Sequence, residues 1–397
     1  MIIKDPPTHE QEACETCEIA NVCRMARAHD AKPSVKSLHT KSLTSVHKGK
    51  GEKIMKKLVA ILLVAMMAIG LVACDNSKGG NTDSSTTYTV GLCNYVSDAS
   101  LDQICNAIQD ELEAIGKENN VTFEVDFQNA QADANVLSQI VTNYVNDNVD
   151  LMVGVATPVA MTMQGMAEEA NIPVVFSAVS DPLSTGLVAS MDAPGANVTG
   201  TSDMLDTASI VELIKLYNPD IKKVGLLYDA GQDASTKPIA EAKELLSAAG
   251  IEVVERTGTT VDEVTIAAQS LVKDGVEAVF TPTDNTIMQA ELSIYEIFAD
   301  AGIAHFAGAD SFALNGAFLG YGVNYEELGR ATARMVADIL LNGKDPATTA
   351  VQTFDNGIAT INTDICEKLG VKFDDMKAKF ADKCSDVLSV TTAESFE

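Results

Sequence analysis

The stretch LMVGVATPVAMTMQGMAEEANIPVVFS, residues 151–177, decides the fold. Leu151–Val155 is a short apolar run without polar alternation, which predicts a strand buried on both faces. Pro158–Ala170 follows with helical spacing and Pro in its first turn, where the missing N–H costs nothing. Pro173–Ser177 is a second short apolar run. Strand, helix and strand in this order make a crossover unit, and its strands must run parallel.

The same alternation extends both ways. Upstream, Tyr88–Cys93 and Val121–Phe127 read as strands. Leu101–Ile115 and Asp133–Val145 read as helices, the first with apolar residues at Leu101, Ile104, Cys105, Ile108, Leu112 and Ile115. Downstream, helices are expected at Thr207–Tyr217, Ala234–Ala249, Val261–Lys273 and Asn285–Ala301. Strands are expected at Lys223–Tyr228, Glu252–Glu255 and Ala278–Thr281. Two consecutive series predict an α/β protein of two similar lobes with helix-covered parallel sheets. Glu326–Leu341 reads as a further helix ending at Asn342-Gly343, the left-handed stop. The tail from Val371 reads as an extra helix and a frayed end.

In open parallel sheets a ligand binds outside the carboxyl ends of the strands. Those ends lead into Asn94–Ser97, Ala156–Pro158, Ser177–Pro182, Tyr228-Asp229 and Thr281–Asn285, which are rich in Ser, Thr, Asn and Asp. Helix N-termini with adjacent hydroxyls suit a carboxylate, while Asp181, Asp203, Asp284 and Asp310 can receive a cation. A site with both features suits a zwitterion. The competing role for each of these residues is a helix cap or a turn.

Composition narrows the partners. The chain has 397 residues, 46% hydrophobic and 21% charged, with a net charge of −28. Residues 75–397 hold 49 acidic against 17 basic residues. Such a surface repels phosphate backbones, so nucleic acid is not an expected partner.

The only long apolar run is Leu58–Ala73, preceded by Met55-Lys56-Lys57 and followed by Cys74. It is short for a spanning helix and has the layout of a secretory signal. Leu71-Val72-Ala73-Cys74 resembles a bacterial lipobox, which implies lipidation of Cys74 after cleavage of residues 55–74. Residues 75–87 (DNSKGGNTDSSTT) are a flexible polar tether. Residues 1–54 are then an upstream extension, with Met55 as the start, since Gly51-Glu52 can be encoded by a purine-rich ribosome-binding sequence. The rival reading is a metal site at Cys14, Cys17 and Cys23, a weak signal without a second pair. Cys93 and Cys105 read as apolar filler; pairing of Cys366 with Cys384 is left open.

Five segments carry a resemblance: VGVATP (153–158), IPVVFSAVSDP (172–182), NVTGTSD (197–203), TPTDN (281–285) and YGVNYEELG (321–329). In this order they resemble the ABC-transporter substrate-binding lipoprotein family, which includes tryptophan- and tyrosine-type binding proteins. The resemblance spans about Tyr88 to Gly370. It implies a type I periplasmic-binding-protein fold, in which two Rossmann-like lobes with parallel sheets, joined by hinge crossings, close on a small ligand. One lobe is then 88–202 plus about 322–349, the other 203–321 plus about 350–397. The implied contacts are Tyr95, Thr157, Ser177, Ala178 and Asp181 in the first lobe and Thr201, Ser202 and Asp203 near the first crossing. Tyr228, Ser235, Thr283, Asp284, Asn285 and Asp310 follow from the second lobe. Two departures fall in ligand loops: Asp98-Ala99 replaces a His-Pro pair, and Ala234-Ser235 replaces an Asn-Ser pair.

The implied role is an extracytoplasmic, lipid-anchored and monomeric receptor for an amino acid, serving a permease and its ATPase without a cofactor. The alternatives are a sensor of the same fold and a surface hydrolase. Against an enzyme, the sequence has no HExxH, Walker, GxGxxG or GxSxG motif. His305 is the sole histidine beyond residue 54, and its position in an apolar run suits packing.

Overall fold

The parallel strands expected around residues 151–177 form in the computed structural model, which describes residues 86–396. The expected extension, signal peptide and lipidation site at Cys74, with Cys14, Cys17, Cys23 and nearly all of the tether, lie outside the described residues. The first series is β1 (Thr86–Asn94), α1 (Ala99–Asn119), β2 (Val121–Asn129), α2 (Ala134–Asp147), β3 (Leu151–Val155), α3 (Thr157–Ala170), β4 (Val174–Ser177) and β5 (Val198–Ser202). The second is α4 (Thr207–Tyr217), β6 (Lys223–Tyr228), α5 (Asp233–Ala248), β7 (Glu252–Thr257), α6 (Val261–Asp274), β8 (Ala278–Thr281), α7 (Asn285–Asp300), β9 (Ala304–Ala307), α8 (Asp310–Leu314) and β10 (Leu319–Gly322). The chain then runs through α9 (Tyr325–Asn342), β11 (Gln352–Thr353), β12 (Ile358–Asn362), α10 (Thr363–Leu369), α11 (Phe373–Phe380) and β13 (Asp386–Val390).

Two sheets result, with orders β11-β5-β4-β3-β1-β2 and β13-β12-β10-β9-β8-β6-β7. All pairs are parallel except β10 with β12. The register sets Asn94 opposite Val155 and Val155 opposite Ser177, so three strands end level and their loops share one edge. Thr281 and Ala307 do the same in the second sheet. The sheets are joined after β5, after β10 and after β11. This is the two-lobed α/β architecture of type I periplasmic binding proteins.

Several elements go beyond expectation, α8, β10, β12 and α10 among them, and two bear on the sheets. β5 was absent from the sequence reading because Thr, Gly and Ser interrupt its apolar character. Gly200 is required there: a Cβ would stand 2.1 Å from the Phe176 carbonyl oxygen. The end of the tail does not fray. DVLSV (386–390) pairs along the open edge of β12, with Val387 buried and Leu388 exposed.

Three apolar clusters fill the structure. One lies under α2 and α3 and one under α4, α5, α10 and α11. The third runs from α1 and α9 to α6 and α7 and so spans both lobes. α9 packs so closely on α1 that a Cβ at Gly329 would lie 2.6 Å from the Ile104 carbonyl oxygen. Arg330 and Arg334 hold Glu111 of α1 at 3.1 and 2.8 Å. Cys93, Cys105, Cys366 and Cys384 are free thiols. Among the described residues no helix is long and apolar enough to cross a membrane.

Candidate functional site

Parallel strands followed by helices bring helix N-termini to one edge, where the first N–H groups lack intrahelical partners. Most are capped by the chain. Asp98 Oδ1 accepts from Ser100 N and Leu101 N at 3.0 Å each at the start of α1. Asp284 caps α7, its Oδ1 accepting from Thr286 N and Ile287 N at 3.0 Å. Its Oδ2 accepts from Asp229 N at 2.8 Å and Ser235 Oγ at 2.6 Å. α3, α5 and α8 have no side-chain cap, and at α3 the N-cap residue, Ala156, has no polar side chain at all. Ala156 also has φ 76° and ψ 155°, a conformation almost confined to glycine, and such strain is stored at functional sites. Ala178, at φ 53°, lies in the same wall.

These loops enclose a cleft between the lobes, with about 430 Å³ of space between its walls, open mouth included. Thr157, Ala178, Ser180, Asp203, Thr283 and Asn285 line it. So do Asp98, Ser100, Leu101, Met288, Ser311 and Phe312, and Tyr325 lies near both Asp98 and Asp203. Among the described residues no Lys, Arg or His side chain lines the cleft. The lobes touch across it. Ser100 Oγ donates to Asp310 Oδ1 at 2.5 Å and accepts from Ser311 N at 3.2 Å. Ser180 and Thr283 hydroxyls are 3.0 Å apart.

The cleft is acidic without a counter-cation. Burial pushes the carboxyls of Asp203, Asp284 and Asp310 up to about 6, although Ser180, Ser235 and Ser100 respectively donate to them. Burial also raises Asp98. The Tyr325 hydroxyl is held well above its ordinary range by burial and then by the nearby charges of Asp203, Asp310 and Asp98. A buried carboxylate with no cation favours its protonated form until a partner arrives. Among the described residues no cluster of His, Cys, Asp and Glu is arranged to hold a metal ion.

Of the residues singled out in the sequence, Thr157, Ala178, Asp203, Thr283, Asp284 and Asn285 meet in this cleft. Ser235 stands behind Asp284, and Asp310 reaches the wall through Ser100. Tyr95 is half-buried, and its hydroxyl is hydrogen-bonded to Gln232. The others lie outside the cleft lining. Ser177 and Thr201 form a buried hydroxyl cluster with Thr332 of α9, each 2.9 Å from it. Ser202 Oγ accepts from Met204 N at 3.2 Å, and Asp181 accepts from Ser184 N at 3.1 Å in a turn. The Tyr228 hydroxyl donates to Glu255 at 2.9 Å.

Sequence reasoning did not assign contacts to Asp98, Ser100, Ser180, Met288, Ser311, Phe312 or Tyr325. Signals existed for three: Asp98 occupies a departure from the family pattern, Ser180 lies inside FSAVSDP, and Tyr325 inside YGVNYEELG. His305 is buried in β9, with Nδ1 3.0 Å from Glu291 Oε1 and Nε2 2.9 Å from Thr281 Oγ1. It packs edge-on against Phe298 and Phe312.

Residues 89–385 match the family model described as ABC transporter substrate binding protein. The chain is 30% identical over 350 residues to the tyrosine-binding protein of Clostridioides difficile strain R20291, covering 87% of this chain and 99% of that one. It resembles the ABC domain in complex with L-Trp from Streptococcus pneumoniae, with a TM-score of 0.70 at 28% identity over 76% of this chain and all of that one. The ligand-free, open structure of a substrate-binding protein with adhesive properties from Clostridium difficile gives 0.59 at 30% identity, over 77% of this chain and all of that one. Within this structure the two lobes are hydrogen-bonded to each other across the cleft.

Those bonds generate a prediction. Ser100→Ala removes both hydroxyl contacts at the α1–α8 seam and is expected to shift the unliganded protein toward an open form. Small-angle X-ray scattering should show a larger radius of gyration than the wild type, with the difference lost on addition of ligand.

Proposed function

We propose, from the premise that the chain belongs to the ABC transporter substrate-binding protein family, that it binds an amino acid with an aromatic side chain as a zwitterion between its lobes. The family is one of binding proteins and not of enzymes. The observation that carries this reading is the opposition, in one cleft, of an uncapped helix N-terminus to buried carboxyls without a basic side chain. A ligand carboxylate fits the N-terminus of α3, where free N–H groups, the helix dipole and the Thr157 hydroxyl favour negative charge. The ammonium fits Asp203. Asp284 is saturated by four donors, and neither Asp310 nor Asp181 lies in the cleft lining. Asp203 accepts from Ser180 Oγ through Oδ1 at 3.0 Å, leaving its second oxygen for the ligand. The aromatic side chain is supported by the tyrosine- and tryptophan-binding relatives and by the apolar wall of Leu101, Met288 and Phe312.

Asp203 opens the first crossing between lobes and Tyr325 follows the second. A ligand held there and at α3 stabilises the closed state against the open one, which is how its presence becomes a change of shape. The partners of this reading are a membrane permease and its ATPase, which take the ligand from the closed receptor on the outer side of the membrane. Cys74 is its lipid anchor. Export with Cys74→Ser should release the protein from the membrane fraction into the medium or periplasm; retention would remove the anchor.

Calorimetric titration with the amino acids tests the cargo. Tyrosine or tryptophan should bind, and Asp203→Asn should weaken binding by about 10- to 100-fold, as for loss of a charged hydrogen bond. Failure of every amino acid to bind overturns the reading. The carboxyl near 6 also predicts a pH dependence with a definite sign. In the free protein Asp203 is partly protonated at pH 6; pairing with an ammonium lowers its pKa, so binding releases a proton. Affinity should be constant well above pH 6 and fall as pH drops through 6, by up to about tenfold per unit for one proton. Titration in buffers of different ionisation enthalpy reads the released proton directly.

A further inference from the structure

One carboxyl oxygen of a cleft-lining residue has no hydrogen-bond partner among the described residues. Asp98 spends Oδ1 on the cap of α1, while Oδ2 is shielded from solvent and accepts no hydrogen bond. Ser311 stands close enough to temper the effect of burial on Asp98, but its hydroxyl is directed at Met288 Sδ, 3.2 Å away. Around Asp98 the cleft sets the apolar side chains of Leu101, Met288 and Phe312, 8%, 7% and 1% exposed, beside the hydroxyls of Ser100, Ser311 and Tyr325. The Ser100 hydroxyl is spent on Asp310 and that of Ser311 on Met288, so a flat apolar side chain that carries a donor meets an open acceptor at Asp98 Oδ2.

We propose that Asp98 is the specificity-determining residue of the cleft: its Oδ2 accepts a hydrogen bond from an O–H or N–H on the ligand's side chain, so the cleft selects donor-bearing aromatic amino acids over those that present only C–H. This inference rests on the amino-acid reading above and adds the chemistry of the side chain to it. A zwitterion with a purely apolar side chain is already served by Asp203 and the N-terminus of α3, and it leaves Asp98 Oδ2 buried and unpaired. A site built to meet a hydroxyl or N–H rejects the analogue without it, because the site's own polar group is then stranded. The converse, adding bulk to an apolar pocket, discriminates far less. No basic side chain lines the cleft to take the place of the ligand's donor.

The test is a matched titration of tyrosine, tryptophan and phenylalanine into wild type, Asp98→Ser and Asp98→Asn. Serine keeps an oxygen able to cap α1 and deletes the second one; asparagine keeps the size but sets an amide where the free oxygen stood. Melting temperatures close to wild type establish that both variants are folded. Wild type is expected to prefer tyrosine or tryptophan over phenylalanine by roughly 100-fold or more, within the range open to hydrogen-bond selection. In Asp98→Ser that ratio should collapse toward one through weaker binding of the donor-bearing ligand, with phenylalanine unchanged or tighter. An unchanged ratio in Asp98→Ser, or a wild type that binds phenylalanine as tightly as tyrosine and tryptophan, overturns the role of Asp98 and leaves the amino-acid reading standing. A wild type that binds no amino acid overturns both.

Discussion

The constraint on which the rest depends is the parallel order of the strands. It brings the N-termini of α1, α3 and α7 to one cleft, and each brings N–H groups that helix geometry cannot satisfy. The chain answers with carboxylates at two of them, Asp98 and Asp284. At α3 it places Ala156, in a backbone conformation that alanine seldom adopts. The demand for an acceptor there passes to whatever enters the cleft. In the proposed reading, anion recognition thus follows from a cap that is missing.

The opposite demand arises from the caps themselves and from Asp203 and Asp310. Burial removes water from these carboxyls, and no cation in the cleft wall replaces it. The arginines that join the first lobe together, Arg330 and Arg334, are used on Glu111 at the outer side of α1. The free cleft is therefore both short of an anion at α3 and short of a cation at Asp203. A single molecule bearing both charges relieves both deficits at once. Because Asp203 sits at one crossing and Tyr325 beside another, the relief is felt where the lobes hinge.

How far the site was legible depended on how local each residue's task was. Asp284 precedes a helical run, so both a cap and a contact were open to it, and it serves as a cap in the cleft wall. Ser177 and Thr201 carry the hydroxyls expected of a ligand loop, yet both point at Thr332, a residue far along the chain. Asp98 was visible only as a departure from a family pattern. That its second oxygen has no donor depends on Ser311 and Met288, which arrive from the other lobe.

By itself the sequence determined the alternation of strand and helix, the parallel sheets, the edge where the loops of the proposed site gather and the acidic character of the chain. These depend on periodicities and composition within short windows, where steric and hydrophobic preferences act between near neighbours. Only the tertiary structure decided which polar side chains are spent on the protein and which remain for a ligand. It also decided that DVLSV becomes a strand, since that required an open edge at β12. Such outcomes depend on donors, acceptors and edges supplied from distant parts of the chain, and hydrogen bonding is exclusive: an oxygen already held by one partner is not offered to another.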